Sequence, residues 1–133
     1  MSHFGRVDVK KEKKKALYLR EIAPLVQEIS LQEPEVAKYY VSRVDLSADT
    51  GICYVFFSSF QQGVEQEQEK DFKKALDILK LYKPSMRKAL AQSINARYTP
   101  ELIFAYDVHK EKERRINDLL DRVQQELSEI KDE

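Results

Sequence analysis

The chain has 133 residues, 42% of them hydrophobic and 35% charged, which indicates one folded domain with a heavily solvated surface. Its one cysteine, Cys53, excludes an intrachain disulfide and a cysteine-based metal site, as is typical of a reducing cytoplasm. The N-terminus has no apolar signal segment, and no apolar run approaches the roughly 18 residues of a membrane span. We therefore expect a cytoplasmic protein without a membrane partner.

Charge is unevenly distributed along the chain, although its 23 basic and 23 acidic residues balance. Residues 1–20 hold seven cations and two anions (net +5), and residues 73–98 hold seven cations and one anion (net +6). Residues 107–133 hold six cations and nine anions (net −3). A net charge of zero argues against a nucleic-acid partner, but two concentrated basic segments argue for one.

The first third of the chain predicts a tail and a helix. Residues 1–13 are polar and lysine-rich, and we expect them to form a flexible tail. A helix is expected over 14–31, because apolar residues recur there at helical spacing. Pro24 lies inside this helix and predicts a kink or a late start, since proline lacks the amide proton that a helix interior requires.

Two strands are expected next. The segment YYVSRVDLS (39–47) alternates and is rich in β-branched and aromatic residues, and ICYVFFSSF (52–60) is a nearly continuous apolar run. Asp49 and Gly51 supply turn chemistry between them. Residues 39–60 therefore predict an antiparallel hairpin.

Pro84 is expected to separate two helices. A helix over 67–81 has an apolar stripe, and a second stripe predicts a helix over 84–96. Proline disfavours helical geometry in the residue before it and suits the first position of a new helix. The sequence therefore predicts a helix pair that turns at Pro84.

A third strand and a final helix complete the predicted chain. ELIFAY (101–106) follows Pro100, and Asp107 is placed to cap a helix over 109–130. We expect an α+β fold with the order α-β-β-α-α-β and an extra C-terminal helix, with the helices on one face of a three-stranded sheet. The predicted divisions are the tail (1–13), a single domain (14–108) and a C-terminal amphipathic helix with an acidic tail (109–133).

This element order is that of type II KH domains, in which the turn between paired helices faces single-stranded nucleic acid. The usual Gly-x-x-Gly clamp is absent, since the only glycines are Gly5, Gly51 and Gly63. Five further segments stand in register with the motifs of a known family: REIAPLVQEI (20–29), VDLSAD (44–49), YVFFS (54–58), MRKALA (86–91) and RYTPELIFAYD (97–107). By these segments the chain resembles, from about Leu17 to Leu120, the ribosome-binding factor A family, which has a KH-like fold without that clamp.

The resemblance implies a bacterial assembly factor that binds the immature small ribosomal subunit through rRNA, near the neck and decoding region. It also implies a role in late rRNA maturation and importance in the cold. The family usually kinks its helix pair at an Ala-x-Gly step. The aligned residues here are Tyr82, Lys83 and Pro84, and proline is expected to supply the kink.

The candidate site is a set of cations for phosphate contact. Arg87 and Arg97 are the strongest candidates, because a guanidinium suits phosphate better than an ammonium group does. The alternatives are a solvated lysine face, a solubilising tail at residues 10–15, and a structural role for Arg97 in anchoring the loop before the third strand. The predicted RNA-binding residues are Lys10, Lys11, Lys14, Lys15, Arg20, Lys80, Lys83, Arg87, Lys88 and Arg97.

Other functions have weaker support in the sequence. Tyr39, Tyr40 and Phe57 could stack on bases, but core or cross-strand packing explains them more simply. The sequence contains no metal-site, nucleophile, P-loop or dinucleotide motif, so we expect no enzymatic activity, no cofactor, no metal and no small-molecule substrate. The alternative to an RNA-binding monomer is a protein-interaction module that docks or self-associates through the apolar stripe of the last helix. The sequence leaves open whether that stripe packs on its own domain or on a partner.

Overall fold

The computed structural model describes residues 9–60, 65–94 and 97–131. In chain order its elements are α1 (Val9–Gln32), β1 (Tyr39–Leu46), β2 (Ile52–Ser59), α2 (Glu65–Ser93), β3 (Glu101–Tyr106) and α3 (Val108–Lys131). The predicted α+β class, the hairpin and the third strand are confirmed. No helix among the described residues is both long and apolar enough to cross a bilayer.

The three strands form one sheet with β2 in the middle. β1 pairs with β2 antiparallel, and β2 pairs with β3 in parallel. Parallel neighbours need a long crossover, and α2 supplies it. The register of β1 shifts between Val41 and Arg43, which makes Ser42 the extra residue of a β-bulge.

The core lies between the sheet and one layer formed by α1 and α2. Alternate β2 residues face it, because successive side chains of a strand point to opposite faces. Each fully buried apolar side chain contributes about 1.5–3 kcal/mol relative to an exposed one. The most completely buried members are Ile22, Val36, Cys53, Val55, Phe57, Ala75, Leu79 and Leu102.

The predicted break at Pro84 is wrong, because α2 is one helix of 29 residues with Pro84 inside it. Buried side chains on both sides of the proline explain its continuity. Leu79 and Met86 are seven residues apart, which is close to two helical turns, so both face the same core. Two separate helices would not keep these buried side chains on one face. A continuous helix does, and it lacks only the one backbone hydrogen bond that Pro84 cannot donate.

The N-terminal boundary also differs from the prediction. α1 begins at Val9, so residues 9–13 are helical and do not belong to a tail, and residues 1–8 lie outside the described part. Pro24 neither delays nor ends the helix. The buried residues of α1 are Tyr18, Ile22, Val26 and Ile29, so its first two turns extend beyond the part that packs on the core.

Asp107 joins three elements where the sheet meets the last helix. Its buried carboxylate accepts hydrogen bonds from Ser42 Oγ (2.8 Å) and Arg43 Nε (3.1 Å), and its backbone amide donates to the Phe57 carbonyl (2.7 Å). α3 follows directly, within two residues of its predicted start. The β1 bulge therefore aims two donors at the start of α3.

The apolar stripe of α3 does not pack on the rest of the described chain. Its residues are 50–58% exposed, and they are Ile116, Leu119, Leu120, Val123 and Leu127. The domain thus leaves uncovered a helix face that could take a partner.

A Pro84→Ala variant tests the continuity of α2. Alanine restores the amide donor that a helix interior requires, so we expect the free energy of unfolding to rise by about 1–2 kcal/mol. Pro34→Ala is the control, because Pro34 lies in the turn after α1, where replacement should lower stability slightly. Urea unfolding measures both; a destabilised Pro84→Ala protein would indicate that the proline starts a separate helix.

Candidate nucleic-acid interface

A hydrogen-bonded turn between β1 and β2 forms one edge of the candidate interface. Asp49 Oδ1 accepts hydrogen bonds from the Gly51 amide (2.9 Å) and from Ser47 Oγ (2.8 Å), and Ser47 Oγ also accepts from the Ile52 amide (2.9 Å). The hydrogen bond from the Gly51 amide, followed by that from Ser47, lowers the pKa of Asp49. Thr50 has a φ of 58°, which is unusual for a β-branched residue. The sequence-based interpretation of Asp49 and Gly51 as turn residues is confirmed.

Arg87 holds the loop before β3. From α2, its Nε donates to the Pro100 carbonyl and its Nη2 to the Thr99 carbonyl, both at 3.2 Å. The Glu101 amide then donates to the Gly51 carbonyl (2.9 Å), which connects this loop to the β1–β2 turn. Arg87 thus takes the anchoring role that the sequence suggested for Arg97.

Arg97 and Tyr98 lie in the loop that Arg87 anchors. Both are exposed, and the Arg97 guanidinium carbon lies 5.4 Å from the centre of the Tyr98 ring. Arg97 is therefore accessible to an anion, and its phosphate contact stays a prediction.

The first turns of α1 lie against the same edge. Lys15 forms ion pairs with Asp45 (3.1 Å) and Glu12 (3.3 Å). The hydrogen bond to Asp45 is the main reason that the pKa of Lys15 is raised. Burial opposes ionisation of Asp45, but the hydrogen bonds from Lys15 and the Leu46 amide outweigh it and lower the pKa of Asp45. Lys15 thus holds α1 to β1, and its charge is partly satisfied within the domain.

Two depressions lie along this edge, and the first of them brings the two basic segments together. One, of about 400 Å³, is lined by Lys14, Leu17, Tyr18, Asp49, Thr50, Ile94, Arg97 and Tyr98. The other, of about 140 Å³, is lined by Lys10, Lys11, Lys14, Leu46, Ser47, Ala48 and Thr50. We call the surface formed by Lys10, Lys11, Lys14, Arg97 and Tyr98 the basic edge. It unites cations more than 80 positions apart in the sequence.

The remaining predicted cations have different surroundings. Lys80 and Lys88 are exposed on α2, and neither has an ion pair with a described residue. Lys83 pairs with Glu101 (3.6 Å), and its Nζ lies 5.7 Å from the centre of the Phe104 ring. Arg20 is exposed, lies 3.9 Å from Glu21 and lines neither depression. The structure does not gather all ten predicted residues at one place.

The predicted kink residues lie within α2, and two of them contact other elements. Tyr82 Oη donates to Glu33 Oε1 (3.0 Å), and this hydrogen bond raises the pKa of Tyr82. Ser85 Oγ donates to the Tyr82 carbonyl (2.9 Å). Tyr82 therefore connects α2 to the residue after α1, Lys83 connects it to the start of β3, and Pro84 does not end the helix.

Among the aromatic residues, the structure separates core from surface. Tyr39 and Phe57 are buried, which confirms core packing, and Tyr40 packs on Phe60 with 4.8 Å between ring centres. Tyr98 is 74% exposed and was not among the predicted candidates. Its signal in the sequence was its place in RYTP, beside an arginine and outside every apolar stripe.

Comparison with known proteins connects this architecture to one family. The family model for ribosome-binding factor A matches residues 10–120. Ribosome-binding factor A of Thermosipho africanus is 35% identical over 116 residues, covering 85% of this chain and 87% of that protein. The protein of the same name from Alcanivorax borkumensis is 30% identical over 114 residues, covering 86% and 79%.

Two structural comparisons agree. The crystal structure of ribosome-binding factor A from Thermus thermophilus superposes with a TM-score of 0.58 at 25% identity, covering 72% of this chain and 94% of that one. A homology model of the Thermus thermophilus factor, fitted into a cryo-EM map of a 30S–RbfA complex, gives a TM-score of 0.53 at 25% identity, covering 69% and 90%.

The fold is that of a KH-like α+β domain whose sheet is covered on one face by two helices. The chain belongs to the ribosome-binding factor A family.

An Arg87→Lys variant tests whether Arg87 stabilises the domain through its two hydrogen bonds rather than through its charge. Arg87→Lys keeps the positive charge but cannot reproduce two hydrogen bonds in a fork, so we expect a loss of about 1–2 kcal/mol in the free energy of unfolding. Lys88→Ala removes an exposed charge and should change stability by less than about 0.5 kcal/mol. Chemical denaturation measures both, and equal stability of Arg87→Lys and the parent protein would refute the anchoring role.

Proposed function

We propose that the protein is a cytoplasmic assembly factor that binds the immature small ribosomal subunit through rRNA and assists late rRNA maturation. The observation that carries the proposal is membership of the ribosome-binding factor A family over residues 10–120. The fitted 30S–RbfA complex of a related protein supports the choice of particle. The basic edge supplies the charge that an rRNA surface would require.

Binding would proceed mainly through phosphate contacts. Lys10, Lys14, Lys80 and Lys88 are exposed cations, and each one that neutralises a phosphate releases condensed counterions. Phosphate contacts position a protein on RNA, whereas base contacts specify where it binds. The four lysines thus supply affinity and orientation.

The proposed activity requires no chemical step. Burial raises the pKa of the Cys53 thiol to about 12, so this cysteine is not a ready nucleophile. Among the described residues there is no cluster of three or more histidine, cysteine or acidic side chains that could hold a metal. We propose a non-enzymatic factor that acts without a cofactor or small-molecule substrate, by binding one rRNA conformation more tightly than another.

Conformational bias of this kind would matter most in the cold, because misfolded RNA escapes more slowly as temperature falls. The factor would act as a monomer, since one domain carries the whole basic edge. It would leave the particle when the mature rRNA conformation binds it less well.

A second candidate function is self-association through α3, which its exposed stripe favours. Ile116, Leu120, Val123 and Leu127 are spaced four, three and four residues apart, which is the seam of a two-stranded coiled coil. All four are at least half exposed in the single chain. The occupant of this face would be a second copy of the same helix.

The proposed function predicts salt-dependent cosedimentation with small ribosomal subunits. We expect the purified protein to pellet with small subunits, more weakly with large subunits or joined ribosomes, and less as salt increases. The plot of log affinity against log salt concentration should be less steep for the double variant Lys80→Ala/Lys88→Ala. The size of its negative slope should decrease by about 1.5, as expected for two lost phosphate contacts. Lys112→Ala/Arg122→Ala is the control, because it removes two exposed cations of α3.

Three outcomes would count against parts of this proposal. Equal binding to all three particles would indicate a nonspecific polycation, and no binding at low salt would contradict the proposed function. An unchanged salt slope in the α2 double variant, beside normal binding by the parent protein, would contradict the assignment of Lys80 and Lys88 only.

Sedimentation equilibrium distinguishes the monomer from the coiled-coil dimer. The proposed assembly factor should give the mass of one chain across a hundredfold concentration range. If the second candidate is correct, the mass should approach two chains and return to one in Leu120→Glu, since a charge in the seam opposes pairing. Leu31→Glu is the control, because Leu31 is also an exposed leucine but belongs to α1 and not to the α3 stripe.

A further inference from the structure

The larger of the two basic depressions also contains an exposed aromatic ring. Its volume of about 400 Å³ lies within the range of small-ligand sites, and its lining combines Lys14, Arg97 and Tyr98 with an apolar floor. Leu17, Tyr18 and Ile94 form the apolar part. Tyr18 and Ile94 are buried members of the core, so this floor is held by packing.

Tyr98 has the properties of a stacking platform. It is 74% exposed, although a large aromatic ring in water forgoes the favourable free energy of burial. Arg97 lies over its ring, which keeps a guanidinium beside the position that a stacked base would occupy. Aromatic rings and arginine planes are the groups on which proteins stack unpaired RNA bases.

The charges of the depression would orient a nucleotide. Lys14 and Arg97 offer positive charge at the rim, from α1 and from the loop before β3. Asp49 contributes a carboxylate to the same lining, and hydrogen bonds from the Gly51 amide and Ser47 hold it in place. A phosphate would be repelled by Asp49 and attracted to the two cations, which directs the base towards Tyr98.

We propose that this depression binds one unpaired nucleotide of single-stranded RNA, with its base stacked on Tyr98 and its phosphate held by Arg97 and Lys14. The inference rests on the proposed function and deepens it, because it assigns a base-stacking subsite to a surface otherwise described by charge alone. Arg87 is a positioning residue for this subsite, since it holds Thr99 and Pro100 directly after Tyr98.

Binding of short RNA to the purified protein tests the subsite. The probes are homopolymeric single-stranded RNA hexamers that carry a 5′-fluorescein label. Fluorescence anisotropy at low salt measures their affinity for the protein. Tyr98→Ala should weaken binding about 5- to 100-fold, the usual effect of removing one stacking ring, whereas Tyr98→Phe should bind nearly as the parent protein does. Arg97→Ala should weaken binding and reduce its salt dependence.

Phe60→Ala is the matched control, because Phe60 is also a strongly exposed aromatic residue (66%) but lies at the end of β2 and lines neither depression of the basic edge. Its RNA affinity should equal that of the parent protein. Circular dichroism checks that every variant is folded. Equal affinities of Tyr98→Ala and the parent protein would overturn the proposal.

Cosedimentation with small subunits separates this proposal from the proposed function. Suppose that the parent protein pellets with subunits and that Tyr98→Ala binds hexamers and subunits as tightly as the parent does. The proposed nucleotide subsite is then wrong, and the assembly function stands. If the parent protein binds hexamers through Tyr98 but does not pellet with subunits, the subsite stands and the assembly function is wrong.

Discussion

The continuity of α2 is the constraint on which the rest of the structure depends. Its buried stripe passes Pro84 in register, so Leu79 on one side and Met86 on the other pack into the same core. Lys80 and Lys88, on the same helix, are exposed to solvent. Arg87 reaches the carbonyls of Thr99 and Pro100. The helix thus covers the sheet, carries exposed cations and fixes the loop that presents Arg97 and Tyr98. One unmade backbone hydrogen bond is a small cost beside the several apolar side chains buried along this helix.

The basic residues of this domain fall into two groups, those that contact groups of their own chain and those that face solvent. Lys15, Lys83 and Arg87 interact with groups of their own chain and contribute to its geometry. Lys14 and Arg97 line a depression that opens to solvent. A chain with zero net charge can therefore still present a locally positive surface, since the acidic residues are concentrated elsewhere, notably beyond Asp107.

Much of this architecture could be predicted from the sequence, because periodicity and turn chemistry are local signals. The hairpin, the strand after Pro100 and the last helix follow from such signals. The prediction at Pro84 is wrong because it followed the preference of proline for the start of a helix. The helical spacing of buried residues continues through Pro84, and it determines the structure. The roles of Arg87 and Arg97 could not be told apart from sequence, since only the fold places carbonyl acceptors beside one and solvent beside the other. Tyr98 was missed because its meaning depends on Lys14, which is distant in sequence and adjacent in space.

The central claim is that the protein meets rRNA through its basic edge, and RNA crosslinking tests it most directly. Ultraviolet crosslinking of the protein on small ribosomal subunits, followed by mass spectrometry, identifies the peptides that contact RNA. We expect crosslinked peptides to contain residues 10–14 of α1, residues 80–88 of α2 and residues 97–98 of the loop before β3, with none from α3. Crosslinks confined to α3, or to the face of the sheet that α1 and α2 leave open, would contradict the account.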